Sequence, residues 1–339
     1  MIVHARRAAA ILFRAVRTRG DRRPYLVPAA VCPAVPLAIL AAGGTVDAID
    51  LDGRLAIDRE QVLARLAASP DRYAGLVYIR PYGDERDPAA FFAAVREKAP
   101  GLLVIDDRCL GYPDVEALHL TRGADLSLFS TSPRKQVDLG WGGFAHLAPG
   151  LELRHVDRPF APEAALELER ETRRAVAEGR PPTGIDGPWL DLGEPGEEWS
   201  GYAARVVAAR QEQRPRRERL GAIYRQLVPL RFQLAEPFQV WRFNVAVPEP
   251  DRLVARLATE GLFAGRHYAP LAAALGDHRP VPRAAALHAA VVNLFVDEHS
   301  DERRAERAAV LVTEHGERAA RGMRWPPPAL RPAMAIDVG

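Results

Sequence analysis

Leu102-Leu-Val-Ile-Asp106-Asp107, followed after a connector by Asp125-Leu-Ser-Leu-Phe-Ser130-Thr-Ser-Pro-Arg-Lys135-Gln-Val-Asp-Leu-Gly140-Trp-Gly-Gly143-Phe144, is the stretch whose reading decides the fold. Leu102–Ile105 and Leu126–Phe129 are short, continuous apolar runs, the pattern of strands buried on both faces. The first ends in two carboxylates and the second in a hydroxyl. Upstream the same rhythm repeats. Tyr25–Val27, Thr45–Ile49 and Gly75–Ile79 read as strands. Between them, Ala34–Ala42 reads as a buried helix opening after Pro33. Asp58 caps a helix through Leu66, with Gln61 completing a capping-box spacing. Asp87–Pro88 opens a further helix in the cap-then-proline order. Strands alternating with helices predict an α/β fold whose mostly parallel sheet carries helices on both faces. Ligands of such sheets bind beyond the carboxyl ends of the strands, which here carry Arg80–Tyr82, Asp106–Asp107 and Ser130.

Outside this core the signals change. Met1–Arg19 is rich in arginine, but Ala8, Ala9, Ile11, Leu12, Phe13, Ala15 and Val16 form a wide apolar face broken by Arg14, so the segment reads as the first helix and not a transit peptide. Residues 151–200, rich in Glu, Arg, Pro and Gly, predict a long helix and a loop around Pro188–Pro195. A smaller α+β unit then follows. It has helices at Arg216–Leu227 and Asp251–Thr259, strands at Phe238–Val247 and Ala290–Val296, and a charged helix Ser300–His315 capped by Ser300. The expected organisation is a large domain with its linker at 1–200, a small C-terminal domain at 201–325 and an irregular tail at 326–339. The charged run Arg210–Arg219 reads as a solvated surface broken at Pro215.

Composition narrows the function. The 339 residues are 48% apolar and carry a net charge of +2, which excludes a wholly disordered chain and argues against a dedicated nucleic-acid binder. Cys32 and Cys109 make neither a disulfide framework nor a zinc pattern, so no metal is expected and a cytoplasmic setting is. The uncharged stretch Pro24–Val46 holds Pro24, Pro28, Pro33, Pro36 and Gly43–Gly44, which argues against a membrane-spanning helix. Of the 46 basic residues only Lys98 and Lys135 are lysines. A lysine kept against such a bias calls for a reason.

Pyridoxal 5'-phosphate supplies one for Lys135. The cofactor needs an amine that can lose its proton and attack a carbonyl, which arginine cannot do. It also needs a carboxylate to hold the pyridine nitrogen protonated, and hydroxyls or helix-start amides for its phosphate. A strand-end carboxylate, a strand-end hydroxyl, a lysine five residues on and a glycine cluster meet those needs in one segment.

Phe129-Ser130 and Lys135-Gln-Val-Asp-Leu-Gly140-Trp-Gly-Gly143 resemble the Schiff-base signature of the DegT/DnrJ/StrS sugar aminotransferases, which are fold-type-I pyridoxal-phosphate enzymes. Pro28-Ala-Ala-Val-Cys32, Gly44-Thr-Val-Asp-Ala-Ile-Asp50, Tyr82-Gly83 and Gly261-Leu-Phe-Ala-Gly-Arg-His267-Tyr268-Ala-Pro270-Leu extend the resemblance over most of the chain. The resemblance implies that Lys135 forms the Schiff base and moves the proton, that Asp107 pairs with the ring nitrogen with Asp106 as fallback, and that Ser130 binds the phosphate. It aligns Cys32 with an aromatic that stacks on the cofactor, and Arg6-Arg7 with a Gly-Thr helix start at the phosphate. Trp141 stands where the family has Glu, and Leu110 where it has His or Gln. Arg242, His267, Tyr268, Tyr82 and Trp141 are candidates for the substrate. Arg242 suits a donor carboxylate, with a solvent-facing strand arginine as the alternative. The implied activity is transfer of an amino group from a small-molecule donor such as glutamate to a keto acceptor, by family analogy a nucleotide-linked keto-sugar, in a homodimer. The rivals are a pyridoxal-phosphate lyase, decarboxylase or condensing enzyme acting on an amino acid, and a non-catalytic cofactor-binding scaffold.

Overall fold

The computed structural model describes residues 1–115, 120–156 and 158–335. Its larger sheet contains β1 (Ile2–Ala5), β2 (Pro24–Pro28), β3 (Thr45–Ile49), β4 (Gly75–Ile79), β5 (Leu103–Asp107), β6 (Leu126–Ser130) and β7 (Gly143–Leu147). The strand order is β1-β7-β6-β5-β4-β2-β3. Strands β2 to β6 are parallel, and β7 and β1 continue the edge antiparallel. Helices α1 (Ala8–Arg19) and α2 (Ala34–Ala41) cover one face, α3 (Arg59–Ala68) and α4 (Ala89–Lys98) the other.

Side chains alternate across a strand, and the alternation sorts the core. Val27, Val77, Leu103, Ile105 and Leu128 pack with Ile11, Leu12 and Ile39 of α1 and α2. Leu26, Leu76, Tyr78 and Val104 pack with Val62, Leu66, Phe92 and Val95 of α3 and α4. Each such side chain, fully buried, is worth roughly 1.5–3 kcal/mol. The same count puts Asp107 and Ser130 on the α1 side and Asp106 on the α3–α4 side.

A second, antiparallel sheet joins β8 (Phe243–Ala246), β9 (Ala264–Gly265) and β10 (Val291–Leu294) in the order β8-β10-β9. Val245, Val292 and Leu294 pack against α6 (Trp199–Leu227), α7 (Pro250–Thr259) and α9 (Glu302–Ala319). Between the two sheets in sequence lies α5 (Pro162–Glu178), and α8 (Pro282–His288) precedes β10.

Several expectations are corrected. Residues 2–5 are a strand, not the start of a helix, because Ile2-Val3-His4-Ala5 pairs along β7. Strand β7, fully buried, was not foreseen. The predicted break at Pro215 is absent, and α6 runs 29 residues through it. An internal proline costs about 3 kcal/mol, which the buried stripe Tyr202, Val206, Ala209, Arg217, Leu220 and Tyr224 offsets. Strand β8 is shorter than predicted because Glu236–Phe238 makes a 3-10 turn, closed by the Gln239 side chain, which donates to the Leu234 carbonyl and accepts the Asn244 amide. The cap of α9 is Asp301, accepting the Arg304 amide at 2.8 Å, and not Ser300; a carboxylate also meets the positive helix end. Of the tail, 331–333 form a 3-10 turn and 336–339 lie outside the described residues. Among the described residues no helix is long and apolar enough to cross a membrane.

Candidate active site

The two carboxylates that end β5 face opposite ways. Asp106, fully buried, accepts from Arg80 Nε at 2.9 Å and Nη2 at 2.8 Å, and from the Thr121 hydroxyl. Arg80 stands at the end of the neighbouring β4 and is itself buried. Asp106 is thereby committed to the α3–α4 side. Asp107, also buried, accepts the Cys109 amide at 2.9 Å. Burial pushes its carboxyl up; the Cys109 amide and the charge of Lys135 pull the other way.

The segment after β6 carries the lysine. Ser130, buried, accepts the Ser132 amide at 3.3 Å. Arg134 adopts a left-handed φ of 66°, and the Lys135 amide returns to the Ser132 carbonyl at 3.3 Å. Helix α6 holds this turn at three points. The Tyr202 hydroxyl lies 2.6 Å from that of Thr131. Gln213 exchanges both its hydrogen bonds with the Asp138 backbone, at 3.0 and 3.1 Å. Arg217 donates to the Lys135 carbonyl at 2.7 Å and to the Trp241 carbonyl at 3.1 Å. Among the described residues the partly buried Lys135 amine has no hydrogen-bond or ion-pair partner. The exposed Lys98 pairs with Glu97 at 3.1 Å.

Beside Ser130 the start of α1 comes close. Ser130 is in register with Gly143, and a Cβ on Gly143 would stand 2.4 Å from the Ala8 nitrogen, so only glycine lets the helix start approach. That start has no side-chain cap and no acidic residue in its first turn; the Ala10 amide turns back to the Arg7 carbonyl at 3.0 Å, and an uncapped helix start favours an anion. Arg7 is exposed. The Arg6 side chain points elsewhere: its Nε donates to the Glu194 carbonyl at 2.9 Å, and Nη1 lies 3.9 Å from Asp191.

The opposite wall comes from the smaller sheet and the loops at the strand ends. Cys32, partly exposed, lies in the loop after β2, where Ala30 bridges Pro270. This lays the His267–Pro270 segment over the sheet edge. Asn293 Oδ1 accepts from the His267 amide at 2.9 Å and lies 3.0 Å from its Nδ1. An acceptor there puts the ring proton on Nδ1 and leaves Nε2 as the lone pair. Burial and the charge of Arg242 push His267 down to about 4, so the ring is neutral. Burial raises the Tyr268 phenol. Tyr82, in a left-handed conformation, donates to the His267 carbonyl at 2.6 Å, and its own carbonyl accepts the Trp241 amide at 2.9 Å. Leu110 packs with Tyr82 and Trp241 as apolar surface. Trp241 Nε1 reaches the Arg134 carbonyl at 2.7 Å, which joins the lysine turn to this wall.

Arg242 is not a solvent-facing strand residue: it is 1% exposed. Trp141 lies apart, packed with Tyr202 at 5.3 Å between ring centres and against Arg205. Sequence reasoning passed over Arg217 and Asn293. Arg217 had a signal, because Tyr202, Val206, Ala209, Gln213, Arg217, Leu220 and Tyr224 recur every three or four residues, as one helix face does. Asn293 had none beyond being a polar residue in an apolar strand. Among the described residues no cluster of His, Cys, Asp and Glu could hold a metal.

No protein-family model matches the chain, and no curated protein does. Solved structures match it throughout its length. It is similar to an aminotransferase of the DegT/DnrJ/EryC1/StrS group from Brucella abortus, at 17% identity over 93% of this chain and 86% of that one, with a TM-score of 0.65. It is similar to DesV from S. venezuelae, solved in complex with a ketimine intermediate, at 22% identity over 93% and 85%, with a TM-score of 0.64. It is also similar to DesI, solved in the presence of its TDP-sugar product, at 21% identity over 94% and 82%, with a TM-score of 0.67. The chain therefore has the fold of these aminotransferases, the fold-type-I α/β architecture expected from the lysine segment.

Proposed function

We propose that the protein is a pyridoxal-phosphate-dependent aminotransferase that moves an amino group from an amino acid to a keto acceptor. The observation that carries this reading is the arrangement around Lys135: an unpartnered amine, a buried carboxylate whose pKa burial raises, and a buried hydroxyl beside an uncapped helix start. These residues fit the cofactor. Lys135 would hold it covalently, Asp107 would accept the hydrogen bond of the protonated ring nitrogen, and Ser130 with the first amides of α1 would hold its phosphate. Arg7 would add charge there and Cys32 would contact the ring, while Asp106 keeps to its ion pair. When bound, the cofactor supplies an electron-accepting ring beside the substrate.

The chain's own residues do the rest. With the cofactor bound, the Lys135 amine would be the base that takes the proton from the substrate α-carbon and the acid that gives it back. An opposite charge favours the ionised carboxylate, so Asp107 would hold the proton of a cationic ring nitrogen in place. Neutral His267 offers an acceptor at Nε2, and Tyr82, Tyr268 and Leu110 keep the wall dry. Similarity to DesI, solved with a TDP-sugar product, supports a nucleotide-linked keto-sugar as acceptor. We extend the proposal to a homodimer in the cytoplasm, divided at residues 200 and 325. Leu110, an apolar residue where the resembling family has His or Gln, favours as second reading a lyase, decarboxylase or condensing enzyme; product analysis by mass spectrometry separates the two.

The test is chemical. Protein reconstituted with pyridoxal phosphate should absorb in the visible, lose that band on borohydride reduction, and carry a phosphopyridoxyl group on the peptide containing Lys135. An adduct on Lys98, or none, would overturn the reading.

A further inference from the structure

The outermost strand of the larger sheet, β3, lies apart from Lys135, with β5, β4 and β2 between it and β6. Asp50, buried, stands just past its end. Both of its carboxylate oxygens reach the chain of the smaller sheet. Oδ2 accepts the Arg283 amide at 3.0 Å and Oδ1 the Ala284 amide at 2.9 Å. These amides lie in the first turn of α8, and Val281 before it offers no side-chain cap. The carboxylate satisfies two donors that a helix start leaves open and meets its positive end. Asp58 and Asp301 cap the helices that directly follow them. Asp50 instead reaches an amide 233 residues on.

We infer that Asp50 is a positioning residue of the site: by capping α8 from the larger sheet, it sets where the wall that carries His267 stands against the strand ends. Helix α8 is joined to that wall by three routes. The carbonyl of His288, its last residue, accepts from the guanidinium of Arg266, the residue before His267. The chain then runs on into β10, where Asn293 holds His267. The buried face of α8, Ala284 and Leu287, packs in the cluster that contains Tyr82, Leu110 and Trp241. A displacement of the helix start is therefore passed to the wall. Two further carboxylates reach the same stretch: Asp47 pairs with Arg279, and Asp58 lies 3.3 Å from Arg283 Nη1. Those guanidiniums are nearly half exposed, and ion pairs open to water contribute little. The Asp50 bonds are withdrawn from water, and hydrogen bonds to a charged group are the stronger kind. They are the firm anchor, and a cap needed for α8 alone would serve as well from position 281.

The inference rests on the proposed aminotransfer only in treating the wall as part of an active site, and its test needs no turnover. Amide hydrogen exchange is read residue by residue in the wild type, Asp50→Asn and Asp50→Ala, each reconstituted with pyridoxal phosphate. Two amides report the seat of the wall. That of Leu271 bonds the Ala29 carbonyl and that of Trp241 the Tyr82 carbonyl, both at 2.9 Å. The Leu234 amide, on the Asn244 carbonyl at 3.0 Å, reports the smaller sheet alone. In Asp50→Ala, Leu271 and Trp241 should exchange about tenfold faster, the factor by which loss of a helix cap favours local opening, while Leu234 keeps its rate. Asp50→Asn retains one acceptor oxygen and should fall between. Faster exchange confined to the first turn of α8 would overturn the inference, since the cap would then serve the helix only. Leu234 rising in step with Leu271 would overturn it too, because the smaller sheet would be unfolding. If Asp50→Ala does not fold, Asp50→Asn decides: wild-type rates at Leu271 and Trp241 overturn the inference. The borohydride-trapped Lys135 adduct should form in all three proteins. Its absence from the wild type, with the exchange pattern as expected, would overturn the proposed aminotransfer and leave the role of Asp50 standing.

Discussion

Asp106 and Asp107 are adjacent on β5, 0% and 5% exposed, yet the fold treats them oppositely. On the α3–α4 face, Asp106, Arg80 and Thr121 satisfy one another, and Arg80 also reaches the Arg86 carbonyl at 2.9 Å. On the α1 face and the wall opposite, Asp107 and Arg242 are buried and Lys135 partly so, and the two cations have no partner among the described residues. Buried charge that is matched holds elements together; buried charge that is unmatched waits for something that binds. The difference separates ions paired within the fold from ions left without a counter-charge at a single strand end, a separation that burial alone does not make.

The comparison breaks most visibly in stability. Arg80→Met leaves Asp106 buried and unpaired, and should cost about 3–5 kcal/mol in urea unfolding. Asp107→Asn should cost less than about 1 kcal/mol, because it relieves a desolvated carboxyl, while retaining the borohydride-trapped adduct and losing turnover. Equal destabilisation by the two variants would end the distinction.

A smaller effect lies in pH. His267 sits near 4 in the folded protein against about 6.5 when unfolded. A depressed pKa contributes stability that is complete above 6.5 and is lost as pH falls toward 4. Between pH 7 and pH 4.5 the wild type should therefore lose about 2 kcal/mol more than His267→Gln does; parallel losses would place the ring in water.

The smallest effect tests the helix start. Arg7→Ala should weaken pyridoxal phosphate by up to about tenfold, more at low ionic strength than in concentrated salt. Arg6→Ala should leave cofactor affinity unchanged, since that side chain is held by the 191–194 loop. The reverse result would move the phosphate to the other arginine.

Much of this is legible in the sequence. Apolar runs set the parallel strands, and the rarity of lysine singled out Lys135. Alternation along β5 already required Asp106 and Asp107 to face apart. Which faced the lysine depended on Arg80, a strand away in space and 26 residues away in sequence, and no local pattern carries that. Strand β1 was lost because its four residues precede a strongly helical run, and its partner β7 lies more than a hundred residues on. Asp301 was passed over for Ser300 because both are good caps and adjacent. The depth of Arg242 is not legible in the sequence, since a strand arginine reads the same whether it faces solvent or the core. Arg217 was hidden inside a charged run whose average is that of a surface, although its spacing was that of a core.

The three points at which α6 holds the lysine turn, through Tyr202, Gln213 and Arg217, have a mechanical consequence. They splint both ends and the middle of that turn to one rod, and Arg217 ties the rod to the β8 side as well. The backbone at Lys135 is therefore a fixed pivot, and whatever travel the amine needs comes from rotation about its own four methylenes. The span between that pivot and the Trp241 carbonyl is likewise set by a single guanidinium, so the lysine turn and the start of β8 move as one piece.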